Sequence, residues 1–388
     1  MEGADLYLGW RTALLGLATL QILLLAVALL VETGNRVANR TLAALLAVLA
    51  GLLIPYAIGF AGFYDAFRWL TFAPFAIPLA VGPLLYGYAA SLADGRLPPR
   101  WRAHLAPPVL QLAWFALCFL LPADLKWDWY TGGHRTFVAP LFQAMEIVSL
   151  AAYAFALRGV LRRQRTRLAD QRSDDDRFSA RWLGRLQAAI LIGLVTQTGF
   201  WLWSLITGGI DFFQETGLYL ALAALGLYLG VAGWRHGALP VPLPAPLPPV
   251  VAEPPTSSPP PDWAVVATDV DHRVREAGWW REPDLTLPRL SRLLGTNTGR
   301  LSRALNLGLG VNFSTFVNGL RAEGVAGALR ADPDADLLDL AFDMGFASKA
   351  SFNRAFKSRF GMAPSQYRRS VSDHDFADPE AKLRRVAL

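Results

Sequence analysis

The chain has 388 residues, of which 53% are hydrophobic, and its mean hydropathy is +0.30. Soluble domains contain roughly 45–50% apolar residues, so this composition favours a membrane-embedded part. The net charge of +6 favours an anionic partner such as nucleic acid or lipid headgroups. A single cysteine, Cys118, excludes an intrachain disulfide, a cysteine-based zinc site and a CxxC redox pair.

Seven apolar runs precede residue 237, each long enough to be a membrane helix. They lie near residues 7–31, 41–60, 68–91, 105–121, 137–160, 183–207 and 215–235. The third contains Pro74, Pro78 and Pro83, and we expect it to be kinked because proline removes helical hydrogen bonds. The first has acidic residues and no basic residue before Arg11, the wrong charge for a cleaved signal peptide, so we expect it to remain as a span. The sequence predicts a seven-helix transmembrane domain over residues 1–237.

Basic residues are distributed unevenly between the two sets of connections. The connections after the first, third and fifth runs, with the segment after the seventh, carry 15 basic residues, and the other side carries four. Nine of the 15 are arginines between Arg158 and Arg185. By the positive-inside rule the N-terminus is outside and the C-terminus is in the cytoplasm. The outer connections are short, which limits an external signal to a small or lipidic molecule or to one sensed within the bundle.

One carboxylate, Glu146, lies near the middle of the fifth run. Gln143 precedes it by one turn, and Gln187 and Gln197 lie in the sixth run. A charged carboxylate at that depth costs about 2.5–3.5 kcal/mol, so it usually faces the interior of a bundle. Glu146 and Gln143 are therefore candidate signal residues, for a ligand or a proton. The alternative is a structural glutamate that is protonated or bonded to an amide.

Residues 238–262 contain eleven prolines and divide the chain. They are typical of a polyproline-II spacer, with an SH3-type ligand as the alternative. At about 3.1 Å per residue the spacer could extend to roughly 75 Å.

After this linker the chain is predicted to form short helices. A lead-in helix is expected over Asp269–Trp280, and the next is capped by Thr286 or Asp284 with Pro288 in its first turn. Further helices are expected over 298–307, 312–329, 336–343 and 348–360. Gly345 suits a left-handed turn position. One helix-turn-helix plan thus occurs twice, about fifty residues apart, within residues 263–370, and residues 371–388 form a tail.

The last of these helices has two unlike faces. Phe352, Phe356 and Phe360 recur every four residues and form an apolar stripe. Residues 348–369 contain six basic residues and no acidic one. A small helix with an apolar back and a basic, polar front suits the major groove of DNA. The polar residues lying away from the core are Arg300, Ser302, Arg303 and Asn306 in the first copy, and Lys349, Asn353, Arg354 and Lys357 in the second.

Residues from about 270 to 370 resemble the AraC/XylS-type DNA-binding domain. The first copy of the pattern is carried by Leu290, Leu294, Gly295, Leu301, Ser302, Arg303, Gly310, Phe313, Phe316 and Arg321. The second and more specific copy is carried by Ala341, Gly345, Phe346, Ser348, Ser351, Phe352, Arg354, Phe356, Lys357, Gly361, Pro364, Tyr367 and Arg368. Gly299 departs from the pattern where a base-facing side chain is usual, as does Asn306 where lysine is common. Gly324 and Gly327 fall in the helix joining the copies, which suggests looser docking of the first unit.

The resemblance implies tandem helix-turn-helix units reading adjacent major grooves. Together with the seven apolar runs, this predicts an all-α protein with a seven-helix transmembrane bundle and a tandem helix-turn-helix DNA-binding domain. Arg303, Ala350 and Arg354 would contact base edges; Arg300, Asn353, Lys357 and the helix start near Pro364–Arg368 would hold phosphates. For each arginine a phosphate clamp or an intramolecular salt bridge is the alternative. The implied function is a multi-pass regulator of transcription in the bacterial inner membrane.

The expected partners are double-stranded promoter DNA, the lipid bilayer and a small or lipidic signal, with a homodimer and RNA polymerase as further candidates. No Ser/His/Asp grouping, phosphate loop or metal cluster is evident, so we expect no enzyme activity, cofactor or metal. The alternative function is a transporter or channel with a regulatory cytoplasmic tail. Repeated discontinuous helices and several intramembrane charges would favour it, and only Glu146 is present.

Overall fold

A computed structural model describes residues 6–173, 180–207, 211–237 and 261–377. Within these ranges the chain forms helices and no β-strand, with one isolated bridge between Arg172 and Thr286. Two compact units are present. The N-terminal unit comprises Met1–Leu161 with Trp182–Leu243, and the C-terminal unit comprises Arg162–Arg181 with Pro244–Leu388. The connection 162–181 thus belongs with the C-terminal unit, which the predicted domain boundaries did not anticipate.

The described part of the N-terminal unit contains ten α-helices. They are α1 Trp10–Val31, α2 Arg36–Gly59, α3 Phe63–Ala66, α4 Val81–Asp94, α5 Trp101–His104, α6 Ala106–Phe119, α7 Ala123–Trp129, α8 Ala139–Gln171, α9 Ala180–Thr207 and α10 Thr216–Gly237. The last part of α8 belongs to the C-terminal unit. Among the described residues, five helical stretches are long and apolar enough to cross a membrane, and they correspond to the first, second, fifth, sixth and seventh predicted spans.

The third and fourth predicted spans form shorter helices. The third was expected to be one kinked helix, but the chain is not helical around residues 71–77 and α4 covers only 14 residues. Prolines explain the break: the residue before Pro74 and the one before Pro78 are pushed out of the helical region, and Pro83 fits the first turn of α4. The fourth run contains α6, also 14 residues long.

The core of this unit lies between α1, α2, α4, α8, α9 and α10. Leu15, Ile22 and Leu29 of α1 recur every seven residues and are fully buried. Glycines on α10 permit close approach: a Cβ at Gly226 would lie 2.7 Å from Ile22, and one at Gly230 would lie 2.7 Å from Leu25. The opposite face of α1 is also apolar, with Leu17, Leu20 and Leu24 more than half exposed. A helix that is apolar on all sides is typical of a membrane span.

The C-terminal unit is built on seven further helices. They are α11 Trp263–Ala277, α12 Leu287–Leu293, α13 Thr298–Arg303, α14 Phe313–Ala331, α15 Leu337–Asp343, α16 Lys349–Phe360 and α17 Pro364–Ala377. The lead-in helix begins six residues earlier than predicted, because Asp262 caps it by accepting a hydrogen bond from the Ala264 N–H at 2.9 Å. The helix predicted near Pro364–Arg368 continues into the tail to Ala377. Residues 378–388 and linker residues 238–260 lie outside the described ranges.

Helix α14 joins two small hydrophobic cores. Phe316 and Leu320 in its first half pack with α11–α13, whereas Val325 and Leu329 in its second half pack with α15 and α16. The predicted apolar stripe of α16 is confirmed for Phe352 and Phe356, which are almost completely buried. Phe360 is half-buried against the same core.

Candidate nucleic-acid interface

The second helix-turn-helix is fixed by two caps and a glycine turn. The Asp336 carboxylate accepts hydrogen bonds from the Leu338 and Asp339 N–H groups at the start of α15. Ser348 accepts from the Ser351 N–H at the start of α16. Between them Gly345 has φ +87°, and a side chain there would collide with the backbone oxygen of Arg281. The turn residue predicted from the sequence therefore meets two requirements, a left-handed conformation and a close backbone approach.

Helix α16 presents its predicted polar face to solvent. Lys349, Ala350, Asn353, Arg354 and Lys357 are all exposed. Positions 350, 353, 354 and 357 follow the three- and four-residue spacing that places side chains on one face of a helix. This face lies opposite the buried phenylalanines, so it is available to a groove of DNA.

The basic residues of this copy also act on Asp336. Its pKa is lowered first by the two backbone hydrogen bonds it accepts, and further by the positive charges of Arg368 and Lys349. Arg368 is half-buried at the start of α17, whereas Lys349 is exposed. The two cations predicted from separate helices therefore lie in one region of positive potential.

The first helix-turn-helix has the same capping plan. Thr286 caps α12, as one of the two predicted alternatives proposed, and Asn297 caps α13 by accepting from the Arg300 N–H at 2.7 Å. The helix predicted over 298–307 is α-helical only to Arg303 and then widens into a π-helical turn over Ala304–Gly308. The first copy therefore presents a shorter regular helix than the second.

Its polar residues are partly held by internal contacts. Arg300, Arg303 and Asn306 are exposed, and Ser302 is half-buried. The Asn306 amide donates to the Ser302 hydroxyl at 3.2 Å. The Arg303 guanidinium lies 5.1 Å from the centre of the Trp263 ring, a cation–π contact with the lead-in helix. An internal salt bridge was the alternative predicted for Arg303, and the structure shows an internal contact of this residue with an aromatic ring.

An ion-pair cluster that the sequence did not indicate links three helices of the unit. Glu323 of α14 pairs with Arg275 of α11 at 2.6 Å and with Arg359 of α16 at 2.5 Å. Arg275 also pairs with Asp271 at 2.8 Å. Burial by itself lowers the pKa of Arg275, but its hydrogen bonds to Glu323 and Asp271 raise that pKa above the ordinary value. Glu323 therefore connects helices that belong to the two copies.

The helix joining the copies is closely packed at one of its glycines. A Cβ at Gly324 would lie 2.7 Å from the Trp280 ring and 2.9 Å from the Met344 sulfur. A Cβ at Gly327 would meet no atom within 4 Å. The expectation of loose docking is therefore wrong for Gly324, which permits close contact, and only Gly327 has the character of a helix-weakening residue.

Ser173 of the arginine-rich connection is hydrogen-bonded to three residues of this unit. The Ser173 hydroxyl donates to the Leu285 carbonyl at 2.9 Å and accepts from Nη2 of Arg321 at 3.1 Å, while the Asn318 amide donates to the Ser173 carbonyl at 2.9 Å. Arg321 is completely buried, and it also bonds the carbonyls of Trp280 and Glu282. A buried guanidinium needs hydrogen-bond partners for its N–H groups, so partners for Arg321 could be expected in general terms. The sequence could not indicate that a residue 148 positions away supplies one of them.

The candidate signal residues lie in the N-terminal unit and share a cavity. Glu146 and Gln143 line it together with Gln197, whose amide nitrogen is 3.4 Å from the Glu146 carboxylate. Gln187, the other glutamine of the sixth run, does not line this cavity. Cys118 is buried, and no group of three or more potential metal ligands occurs among the described residues.

Residues 290–370 match a family model called "Helix-turn-helix domain". An uncharacterized HTH-type transcriptional regulator of Staphylococcus aureus (strain COL) is 35% identical over 109 residues, covering 26% of this chain and 14% of that protein. A similar protein of Staphylococcus aureus (strain MSSA476) is 39% identical over 85 residues, covering 22% of this chain and 11% of its own. The HTH-type transcriptional regulator MtrA of Neisseria gonorrhoeae is 28% identical over 88 residues, covering 23% and 29%. No solved structure matches the chain.

The family model matches the C-terminal part of the chain. The chain spans less than a third of the length of each of these curated relatives. The C-terminal domain is an AraC-type helix-turn-helix domain, a DNA-binding class found in regulators of transcription. The matched residues include both exposed polar faces described above.

Proposed function

We propose that this protein is a membrane-embedded regulator of transcription that reads promoter DNA with its tandem helix-turn-helix and has no enzymatic activity. The exposed basic face of α16 carries this proposal most directly. It combines a capped, well-packed helix with five outward residues, three of them basic, and the sequence of the helix contains no acidic residue. A positive helix of this width fits the major groove.

The exposed residues divide into two proposed roles. Arg354 and Ala350 lie mid-face on α16 and would contact base edges, where an arginine can bond guanine with both ends of its fork. Lys349, Asn353 and Lys357, with Arg368 at the start of α17, would hold phosphates. In the first copy Arg300 would hold a phosphate. The Trp263 contact orients Arg303, and its guanidinium remains exposed for a base contact. Ser302 and Asn306 would flank it.

The membrane location is supported by the five long apolar helices and by the apolar outer face of α1. The excess of basic residues on one set of connections supports a cytoplasmic C-terminus. Fusions of alkaline phosphatase after residue 170 test the orientation. We expect them to be inactive, because the enzyme needs an oxidising compartment; an active fusion would reverse the topology and separate the domain from DNA.

A sensing role for the membrane half is supported by the bonds of Ser173. A simple anchor would need only the proline-rich linker, whereas here the connection between two apolar helices is hydrogen-bonded to the DNA-binding unit. A movement of that connection would reach α12 through Leu285 and α14 through Asn318 and Arg321. The signal itself would then be small, lipidic or sensed within the bundle.

DNA binding is tested on the full chain in lipid nanodiscs. Selection from a random duplex library, followed by anisotropy titrations at several salt concentrations, should yield a preferred sequence and a steep loss of affinity with salt, because phosphate contacts release counterions. Equal affinity for all duplexes at every salt concentration would contradict the proposed function.

A further inference from the structure

The N-terminal unit contains a cavity of about 330 Å³ whose lining is mainly apolar. Helices α2, α4, α6, α8, α9 and α10 all contribute to it, so it lies inside the group of apolar helices rather than on one of them. Its volume falls near the lower end of the roughly 300–1,000 Å³ usual for ligand sites. Apolar lining residues include Leu49, Leu85, Phe115, Phe142, Ile190 and Leu222.

Several polar groups lining this cavity have unused bonding capacity. Gln111 is 1% exposed, and its amide oxygen accepts from the Leu79 N–H at 3.1 Å. Its amide nitrogen has no hydrogen-bond partner among the described residues, and neither does Nε2 of the buried His134. Leaving a buried donor or acceptor unsatisfied costs about 1–3 kcal/mol. Both residues line the same cavity, so a molecule that enters it could supply the missing hydrogen-bond partners.

The charge of the lining restricts what that molecule can be. Glu146 is the one acidic residue among the lining residues, which include no lysine or arginine. Its bond from the Gln197 amide is long, at 3.4 Å, and leaves most of the carboxylate's capacity unused. A carboxylate among apolar helices is stabilised by a cation that enters with it, whereas an anion would find no counter-charge except a protonated His134.

We propose that this cavity binds a small amphipathic amine. The amino group pairs with the Glu146 carboxylate, the apolar body lies against the leucines and phenylalanines, and Gln111 and His134 bond other polar atoms of the head group. The idea that the amine is the signal rests on the proposed function. The binding of the amine does not, because it can be measured without DNA.

The test uses the full chain in phosphatidylcholine nanodiscs and three probes that share a ten-carbon chain: decylamine, decan-1-ol and decanoate. Thermal unfolding is followed as each probe is titrated. We expect decylamine to raise the unfolding temperature saturably and the other two to have little effect. Equal shifts from all three would show that the response comes from the apolar chain alone, and would overturn the proposal.

Two variants locate the binding. Glu146→Gln removes the charge with almost no change in shape and should weaken decylamine binding at least tenfold. Gly193→Leu should do the same while keeping Glu146: Gly193 lines the cavity, and a Cβ there meets nothing nearer than Leu225 at 4.0 Å. Gln187→Leu, in the same helix as Gly193 but outside the lining, is the matched control and should bind as wild type. Equal binding by all of these proteins would place the amine in the lipid.

The same samples separate this proposal from the proposed function. If decylamine binds as expected but no duplex is preferred, the DNA-binding function fails and the amine site stands. If a DNA sequence is preferred but decylamine binds no better than decanoate, the amine site fails and the regulator stands.

Discussion

Replacing Ser173 by alanine tests whether the connection 162–181 is held to the DNA-binding unit. The substitution removes the hydroxyl that donates to Leu285 and accepts from Arg321. A neutral hydrogen bond contributes about 0.5–1.5 kcal/mol and one to a charged group about 1.5–3 kcal/mol. Arg321 keeps its bonds to Trp280, Glu282 and Asn318, so the loss falls toward the lower part of the summed range, and we expect about 2 kcal/mol.

That energy is measured by amide hydrogen exchange on the full chain in nanodiscs. A loss of about 2 kcal/mol corresponds to roughly thirtyfold faster exchange where opening is local. The acceleration should be confined to residues 285–294 and to the first half of α14, because Leu285, Asn318 and Arg321 lie there. Ser365→Ala, at an exposed serine of the same unit, is the control and should leave those amides unchanged. Unaltered exchange in Ser173→Ala would refute the reasoning.

Three further predictions concern the DNA-binding unit. Gly324→Ala should destabilise the unit by about 1–3 kcal/mol, because the new methyl group would contact Trp280 and Met344. Gly327→Ala should stabilise it by up to about 1 kcal/mol, because alanine favours the helix and no atom obstructs it. Denaturant unfolding measures both changes, and equal effects would contradict the packing argument. Arg354→Ala should lower DNA-binding affinity by about 1–3 kcal/mol at one base position of the site. Lys357→Ala should lower the affinity for all sequences alike and reduce the slope of its salt dependence by about one. Titrations on single-base variants measure both effects, and exchanged effects would show that α16 docks in another rotation. Because the pKa of Asp336 is lowered on folding, its contribution is complete above the ordinary carboxyl pKa and is lost as pH falls through the lowered value. Stability of Asp336→Asn should therefore change less over that acidic range than stability of the wild type.

The sequence predicted the C-terminal domain well because its signals are local. Caps such as Thr286, Asn312 and Ser348 lie within three residues of the amides they bond, and the phenylalanine spacing of α16 reports its buried face directly. The π-helical turn after Arg303 was not predicted, because no residue type near it indicates such a turn. The start of α11 was also predicted too late, because its cap, Asp262, directly follows the proline-rich stretch.

The N-terminal unit was predicted less completely because hydropathy depends on composition and does not show whether a helix is continuous. The third run is apolar enough to span, yet its prolines divide it into short helical pieces. Likewise the sequence placed Glu146 in the fifth apolar run, but Gln111, which lines the same cavity, comes from another helix, and no spacing in the sequence relates the two residues. The bonds of Ser173 are the extreme case, since they join residues more than 100 positions apart.

The position of Ser173 decides what kind of control its contact can exert. It bonds Leu285, Asn318 and Arg321, and none of these is among the ten residues proposed to contact DNA. The contact therefore does not cover the DNA-facing residues, and competition with DNA for the same side chains is not its mechanism. Any control exerted through this contact would act instead on the segment before α12 and on α14, the helix shared by both hydrophobic cores. A displacement at α14 would change the spacing of the two recognition helices, and two helices read adjacent grooves only at the correct spacing. Control by altered spacing predicts that Ser173→Ala changes affinity for a complete site more than affinity for a site carrying only the half read by α16.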